Sequence, residues 1–299
     1  MRIFTGLSAF PLTPMTESQI DEHSFVGLVT RIAAAGADSV GALGSTGSYA
    51  YLTAEERSRA ARLAVEAAGS TPVIVGIGAL RTRDVCRHAE SAQAAGAYAV
   101  LLAPMSYQPL TAEEVYGLYE TVTKELSVPL CVYDNPGTTH FTFTDELHAR
   151  IAQLPNIASI KIPGVPAGRA DAAERIDSLR ARIPATITLG ISNDPTAATG
   201  LNAGCDLWYS VLAGVLPAPC VALTRAAQAG DAATAAELSD RFEPLWTIFR
   251  SHGSLRTVSA IAEDLGLVST PNLPAPVRGL PPDVREAVST ALRSLRDLI

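Results

Sequence analysis

The chain has 299 residues, 47% of them hydrophobic, and a formal net charge of −7. A mean hydropathy of +0.20 and a pI of about 5.3 describe a packed globular chain with a large core and no basic footprint for nucleic acid. No apolar run reaches the ~18 residues a membrane helix needs. Residues 1–6 lack a leader pattern, so a cytoplasmic protein is expected. Cys86, Cys131, Cys205 and Cys220 stand far apart without a Cys-x-x-Cys pair and read as reduced core residues. No His, Cys and carboxylate cluster has metal-ligand spacing, so no metal is expected.

In chain order, a strand is expected over 4–10 and a helix over 21–35, stopped by Gly36. A second strand, 39–43, runs into Gly44-Ser45-Thr46-Gly47. Thr53-Ala54-Glu55-Glu56 caps the next helix, which Gly69 closes. A strand over 73–77, a helix over 82–95 and a strand over 99–103 follow. Thr111-Ala112-Glu113-Glu114 opens a helix to about 126, and a fifth strand covers 129–133. A helix over 144–154 leads to the sixth strand, Ile157-Ala158-Ser159-Ile160-Lys161-Ile162. Then come a helix over 171–182, a strand over 186–189, a helix over 195–203 and a strand over 207–211. The strands lack polar alternation, as a parallel sheet buried on both faces requires. Eight such units predict an α/β fold, a (β/α)8 TIM barrel. A doubly wound sheet is disfavoured, because no Gly-x-Gly-x-x-Gly follows the first strand. Beyond 215 the pattern turns helical: 218–229, 232–251, 254–265 and, after a Pro-rich connector at 271–276, 283–298. The expected division is a catalytic barrel, 1–215, and a C-terminal helical extension, 216–299.

Chemistry in such a barrel sits at the C-terminal ends of the strands. The sixth strand carries Lys161, one of only two lysines among 23 cationic residues. The other, Lys124, lies in a polar helical stretch. A lysine in an apolar strand can snorkel to solvent. It can also be desolvated, lose its proton and attack a carbonyl, which arginine cannot. Ser45 and Thr46 between glycines suit an anion cradle leading into a helix N-terminus, or a plain turn. Tyr133 ends the fifth strand and can shuttle protons, or simply pack. Tyr107 lies in a Pro-flanked loop after the fourth strand. Asp194 is most simply the N-cap of the helix that follows it.

These motifs resemble the dihydrodipicolinate synthase / N-acetylneuraminate lyase superfamily of class I, pyruvate-dependent aldolases. The resemblance rests on Ala9-Phe10-Pro11-Leu12-Thr13-Pro14, Gly44-Ser45-Thr46-Gly47, the Tyr133 to Pro136 stretch and Ser159-Ile160-Lys161, and covers nearly the whole chain. It implies that Lys161 forms a Schiff base with pyruvate or another 2-oxo acid without a separate cofactor. It implies that Tyr133 is the proton shuttle, and that Ser45 and Thr46 bind the carboxylate. Thr46 would link Tyr133 toward Tyr107, whose counterpart in many members reaches a neighbouring subunit's site. Gly190 and Tyr209 would line the pocket, and a homotetramer built from tight dimers is implied. Thr138 stands where dihydrodipicolinate synthases carry an arginine for the second substrate's carboxylate. Ser48, Asn135 and Ile162 are further departures. They shift the expected activity from dihydrodipicolinate synthesis toward a 2-keto-3-deoxy sugar acid aldolase or dehydratase, with Thr138 as a substrate-binding hydroxyl. The alternative is a non-catalytic paralogue that binds a 2-oxo acid.

Overall fold

Eight short parallel strands close into a barrel in sequence order, the last pairing back on the first. The computed structural model describes residues 3–299; Met1 and Arg2, part of the N-terminal stretch read above, lie outside it. The units are β1 (Gly6–Ala9), α1 (Glu22–Ala34), β2 (Ser39–Ala42), α2 (Ala54–Ala68), β3 (Val73–Gly76) and α3 (Thr82–Ala94). They continue with β4 (Ala99–Leu102), α4 (Ala112–Thr123), β5 (Leu130–Tyr133), a short α5 (Pro136–Thr139) and α6 (Asp145–Ile151). The barrel is completed by β6 (Ile157–Ile162), α7 (Arg169–Arg180), β7 (Thr188–Ile191), α8 (Ala197–Asn202) and β8 (Leu207–Ser210).

Local sequence explains most boundaries. Thr53 with Glu56, and Thr111 with Glu114, form reciprocal capping boxes that satisfy the first free N–H groups of α2 and α4. In α1, Phe25, Leu28, Val29 and Ile32 form one buried stripe. Each such side chain contributes roughly 1.5–3 kcal/mol when fully buried. Two expectations are corrected. β7 begins at Thr188, because Ile187 donates its N–H to the Pro184 carbonyl and closes a turn there. The helix expected over 232–251 is two helices, α10 (Ala232–Arg241) and α11 (Glu243–His252), jointed at Phe242. Pro244 has no N–H to donate, and its ring clashes with the carbonyl four residues earlier.

Alternate strand residues divide the core. Ile74, Leu101, Cys131, Leu207 and Tyr209 belong to an inner cluster with Phe10 and Tyr133. Their neighbours, such as Val75, Val100, Val132 and Ile160, join the larger layer between sheet and helices. The C-terminal extension comprises α9 (Pro217–Gln228), α10, α11, α12 (Ser254–Asp264) and α13 (Pro282–Ser294). α9 packs on β1 and α8, α11 reaches the turn at 194–196, and α12 reaches the turn at 212–214. The extension therefore stands over the ends of β7 and β8. Among the described residues, no helix is long and apolar enough to cross a membrane.

Candidate active site

Tyr133, Lys161 and Gly190 lie side by side in neighbouring strands: Tyr133 pairs with Lys161, and Lys161 with Gly190. Equal height in the barrel brings their inward faces together. The Lys161 side chain is enclosed, and the residue is only 3% exposed. Its Nζ lies 3.9 Å from the ring centre of Phe10, 4.1 Å from that of Tyr133 and 5.4 Å from that of Tyr209. Burial pushes the amine down to about 7, against the opposing pull of Cys131 and Asp194. A useful fraction is therefore neutral at physiological pH. Lys124, by contrast, is a surface lysine beside Glu120.

The phenol of Tyr133 receives the amide N–H of Asn135 at 2.8 Å and lies 3.5 Å from Ser45 Oγ. The same Asn135 amide lies 3.4 Å from Ser45 Oγ, which closes a triangle of three polar groups. Burial raises the phenol to about 12, opposed by the Ser45 and Asn135 hydrogen bonds. At neutral pH it is a proton donor, and its phenolate would be a strong base.

Below the amine, the Tyr209 hydroxyl bonds Ser159 Oγ at 2.7 Å and Cys131 Sγ at 3.1 Å. Tyr209 thus forms the floor, with its hydroxyl used inside the barrel. Its ring occupies the place of a side chain on Gly190, since a Cβ there would lie 2.3 Å from Tyr209 Cε2. Gly41 makes the same room for Phe10, whose ring would be 2.4 Å from an added Cβ. Two glycines thereby admit two of the rings that dry the lysine.

The other expected residues are placed as follows. Ser45 points toward Tyr133, whereas Thr46 is buried and the hydrogen bonds to the Tyr133 hydroxyl come from Ser45 and Asn135. Gly44-Ser45-Thr46-Gly47 leads into a single 3-10 turn, Tyr49–Tyr51, rather than into α2, which starts later behind its own Thr53 cap. Tyr107 is 90% exposed on its loop and stands outside the cluster. Thr138 is exposed on α5. Asp194 is not an N-cap. Its buried carboxylate receives the Trp208 indole N–H at 2.7 Å and the backbone N–H groups of Val211 and Leu212 at 3.1 and 3.3 Å. It ties the end of β7 to the end of β8.

A cavity of ≈ 270 Å³ opens beside this cluster. Asn135 forms one wall, Pro163 and Gly164 a second, and Ser192, Asn193 and Asp194 a third. Phe249, Arg250 and Ser254 of the extension complete it. The volume is just under the roughly 300–1,000 Å³ of drug-sized sites and suits a small metabolite. Behind β5, on the side away from the lysine, Asp134 and His148 form a buried pair, Oδ2 to Nε2 3.5 Å. Among the described residues, no group of three or more His, Cys, Asp or Glu is placed to hold a metal.

Phe10, Asn135 and Arg250 escaped the sequence-based site list. Phe10 is signalled by glycines at 41 and 44, whose added Cβ atoms would both meet its ring. Asn135 had a signal as a polar departure from an apolar position. Arg250 had none, because its place at the mouth depends on how a remote helix packs.

A family model described as the dihydrodipicolinate synthetase family matches residues 3–295. The chain is 33% identical over 286 residues to a 4-hydroxy-tetrahydrodipicolinate synthase from Methylococcus capsulatus, covering 95% of each. Among solved structures it resembles a dihydrodipicolinate synthase from Agrobacterium tumefaciens, with 46% identity, a TM-score of 0.94 and 98% of each chain covered. It also resembles the chloride-inhibited dihydrodipicolinate synthase from Acinetobacter baumannii complexed with pyruvate, at 27% identity and a TM-score of 0.88, covering 99% of this chain and 100% of that one. The chain belongs to the dihydrodipicolinate synthetase family and is a lyase of the class I aldolase type.

Proposed function

We propose that this enzyme forms a Schiff base between Lys161 and pyruvate or a related 2-oxo acid. The observation that carries the reading is the enclosed Lys161 amine, held near neutrality by burial and set beside the Tyr133 phenol. The neutral amine adds to the C2 carbonyl. The carbinolamine hydroxyl then takes a proton from Tyr133 and leaves as water, as the nitrogen lone pair forms the iminium. In the cleavage direction the C3–C4 bond breaks and its electron pair flows into the iminium as an enamine. The C4 hydroxyl proton passes to the Tyr133 phenolate. Protonation at C3 and hydrolysis release pyruvate and restore the amine. Ser45, with Thr46 beside it, is the proposed carboxylate site.

The second substrate is proposed to be a hydroxylated carbon chain, as in a 2-keto-3-deoxy sugar acid undergoing aldol cleavage or dehydration. Thr138 in place of a guanidinium, and the Asn135, Ser192, Asn193 and Ser254 lining, support that over dihydrodipicolinate synthesis. Residues 1–215 are the proposed catalytic barrel. The exposure of Tyr107 supports a relay completed across a subunit boundary in a homotetramer. Four unpaired cysteines support a reducing, cytoplasmic location.

Reductive trapping tests the reading. The protein is incubated with pyruvate and borohydride, weighed intact and peptide-mapped. A reduced adduct on Lys161 is expected. An adduct confined to Lys124, or none with any 2-oxo acid, overturns the reading and leaves a protein that binds such acids without turning them over.

A further inference from the structure

We propose that Arg250, on α11 of the helical extension, binds the remote carboxylate of the substrate, so that the preferred 2-oxo acid is a dicarboxylate. The inference rests on Lys161 forming the iminium and concerns the other end of the same molecule. The cavity and the reaction centre share Asn135, whose amide touches the Tyr133 phenol and which also lines the cavity. On this proposal a 2-oxo acid held at Lys161 passes Asn135 and extends its far end toward α11.

Arg250 is the one cation in the lining of that cavity. The one acid in the lining, Asp194, does not oppose an incoming anion, because its carboxylate is spent on the Trp208 indole and two backbone N–H groups. Arg250 does have partners, Glu243 and Thr247, and both are reached through Nη2 alone. Its Nη1 and Nε remain for a ligand, and a guanidinium presents five donors in a planar fork that matches a carboxylate. The Arg250–Glu243 pair is half exposed on both sides. Such surface pairs are worth ~0–1 kcal/mol, so sharing or displacing Glu243 costs little. Thr138 is absent from this lining, so the β5 side supplies no competing anchor. Between the two ends, Asn193 and Ser254 offer donors and acceptors to hydroxyl groups on the intervening carbons. Gly164 lets the Asn193 side chain lie against that wall, since an added Cβ would sit 2.8 Å from its amide nitrogen.

The test measures the concentration giving half-maximal reductive trapping on Lys161. The probes are 2-oxoglutarate, 2-oxoadipate and 2-oxopimelate, each against the monoacid of equal chain length, with pyruvate alongside. At least one diacid is expected to trap at a concentration about tenfold or more below its monoacid, a difference of about 1.4 kcal/mol. Arg250→Gln should remove that advantage and leave the monoacids and pyruvate within about twofold, the pyruvate adduct also reporting an intact fold. Glu243→Gln, which frees Arg250, should strengthen diacid trapping. Equal trapping of diacid and monoacid in the unsubstituted protein, no diacid adduct, or equal losses for both classes in Arg250→Gln would each overturn the proposal. Absence of any adduct, pyruvate included, would instead mark failure of the Schiff-base reading itself.

Discussion

Lys161 and Gly190 face each other across the β6–β7 ladder, and the ring of Tyr209 fills the place of the side chain that Gly190 lacks. Hydrocarbon therefore stands beneath the amine where water would otherwise keep it protonated. Gly190→Ala forces a methyl to 2.3 Å from the Tyr209 ring and 2.7 Å from Leu207. Overpacking of this kind costs about 1–3 kcal/mol. The expected outcome is a lower denaturation midpoint together with weaker trapping on Lys161. An unchanged midpoint in chemical denaturation would contradict this packing.

Lys161 itself is expected to cost stability. Its amine titrates near 7 in the fold against 10.5 as the ordinary value. Between these limits the unfolded chain holds more protons, so stability rises with pH across that window and is lowest below 7. Lys161→Met keeps the volume without the charge. It should stabilise the protein at neutral pH by about 1–5 kcal/mol and abolish the rise. Urea denaturation of both proteins across the window checks the sign.

Asp194 raises the affinity of Lys161 for its proton while being held by Trp208 and two backbone amides. Burial lifts Asp194 itself to about 6, so it is mostly ionised at neutral pH. Asp194→Asn removes that charge and should move the midpoint of the trapping-rate profile to lower pH. It also leaves hydrogen bonds unmatched at the β7–β8 junction, at a cost of about 1–3 kcal/mol. A midpoint moved toward alkaline pH would refute the electrostatic part of this account.

Asp134 and His148 are a buried pair that the proposed chemistry does not use. Burial lifts Asp134 to about 7, against Arg175, and lowers His148 to about 4. Between about pH 4 and 6.5 the two shifts nearly cancel, since Asp134 keeps a proton that the unfolded chain has lost and His148 lacks one that the unfolded chain holds. Only from 6.5 to about 7 does the native state hold the extra proton, and stability declines there. Asp134→Asn keeps the shape and removes the titration. His148 then titrates uncompensated, so stability is expected to rise with pH between about 4 and 6.5, and the variant to gain about 1–3 kcal/mol above pH 7. Thermal midpoints compared at matched pH give the answer.

The barrel was legible because its signals are local. Each strand is an apolar run bounded by turn residues, and Thr53 and Thr111 announce the helices they cap. The misread joint at Phe242 also had a local signal, Pro244, which the apolar periodicity on either side masked. Lys161 was legible for chemical rather than structural reasons, since one lysine in an arginine-rich chain stands out in an apolar strand. Asp194 was misread because an acid before proline has the form of a cap, while its actual partners come from β8 and the turn after it, 14 to 18 residues on. Arg250 could not be read at all. It lies 89 residues beyond Lys161, and only the packing of α11 at the 194–196 turn brings it to the barrel mouth.

That chance of packing also furnishes the molecule with optical gauges near two residues that line the cavity, Asp194 and Arg250. The chain has two tryptophans. Trp208 points its indole N–H at the carboxylate of Asp194, and Trp246 donates to the Ser239 carbonyl one helical turn before Arg250. Both are buried, so solvent contributes little to either emission. A Trp246→Phe protein leaves a fluorophore that senses charge at the reacting end. A Trp208→Phe protein leaves one that senses movement of the extension. The response of Asp194 and that of the extension to a ligand can then be timed separately, without a label.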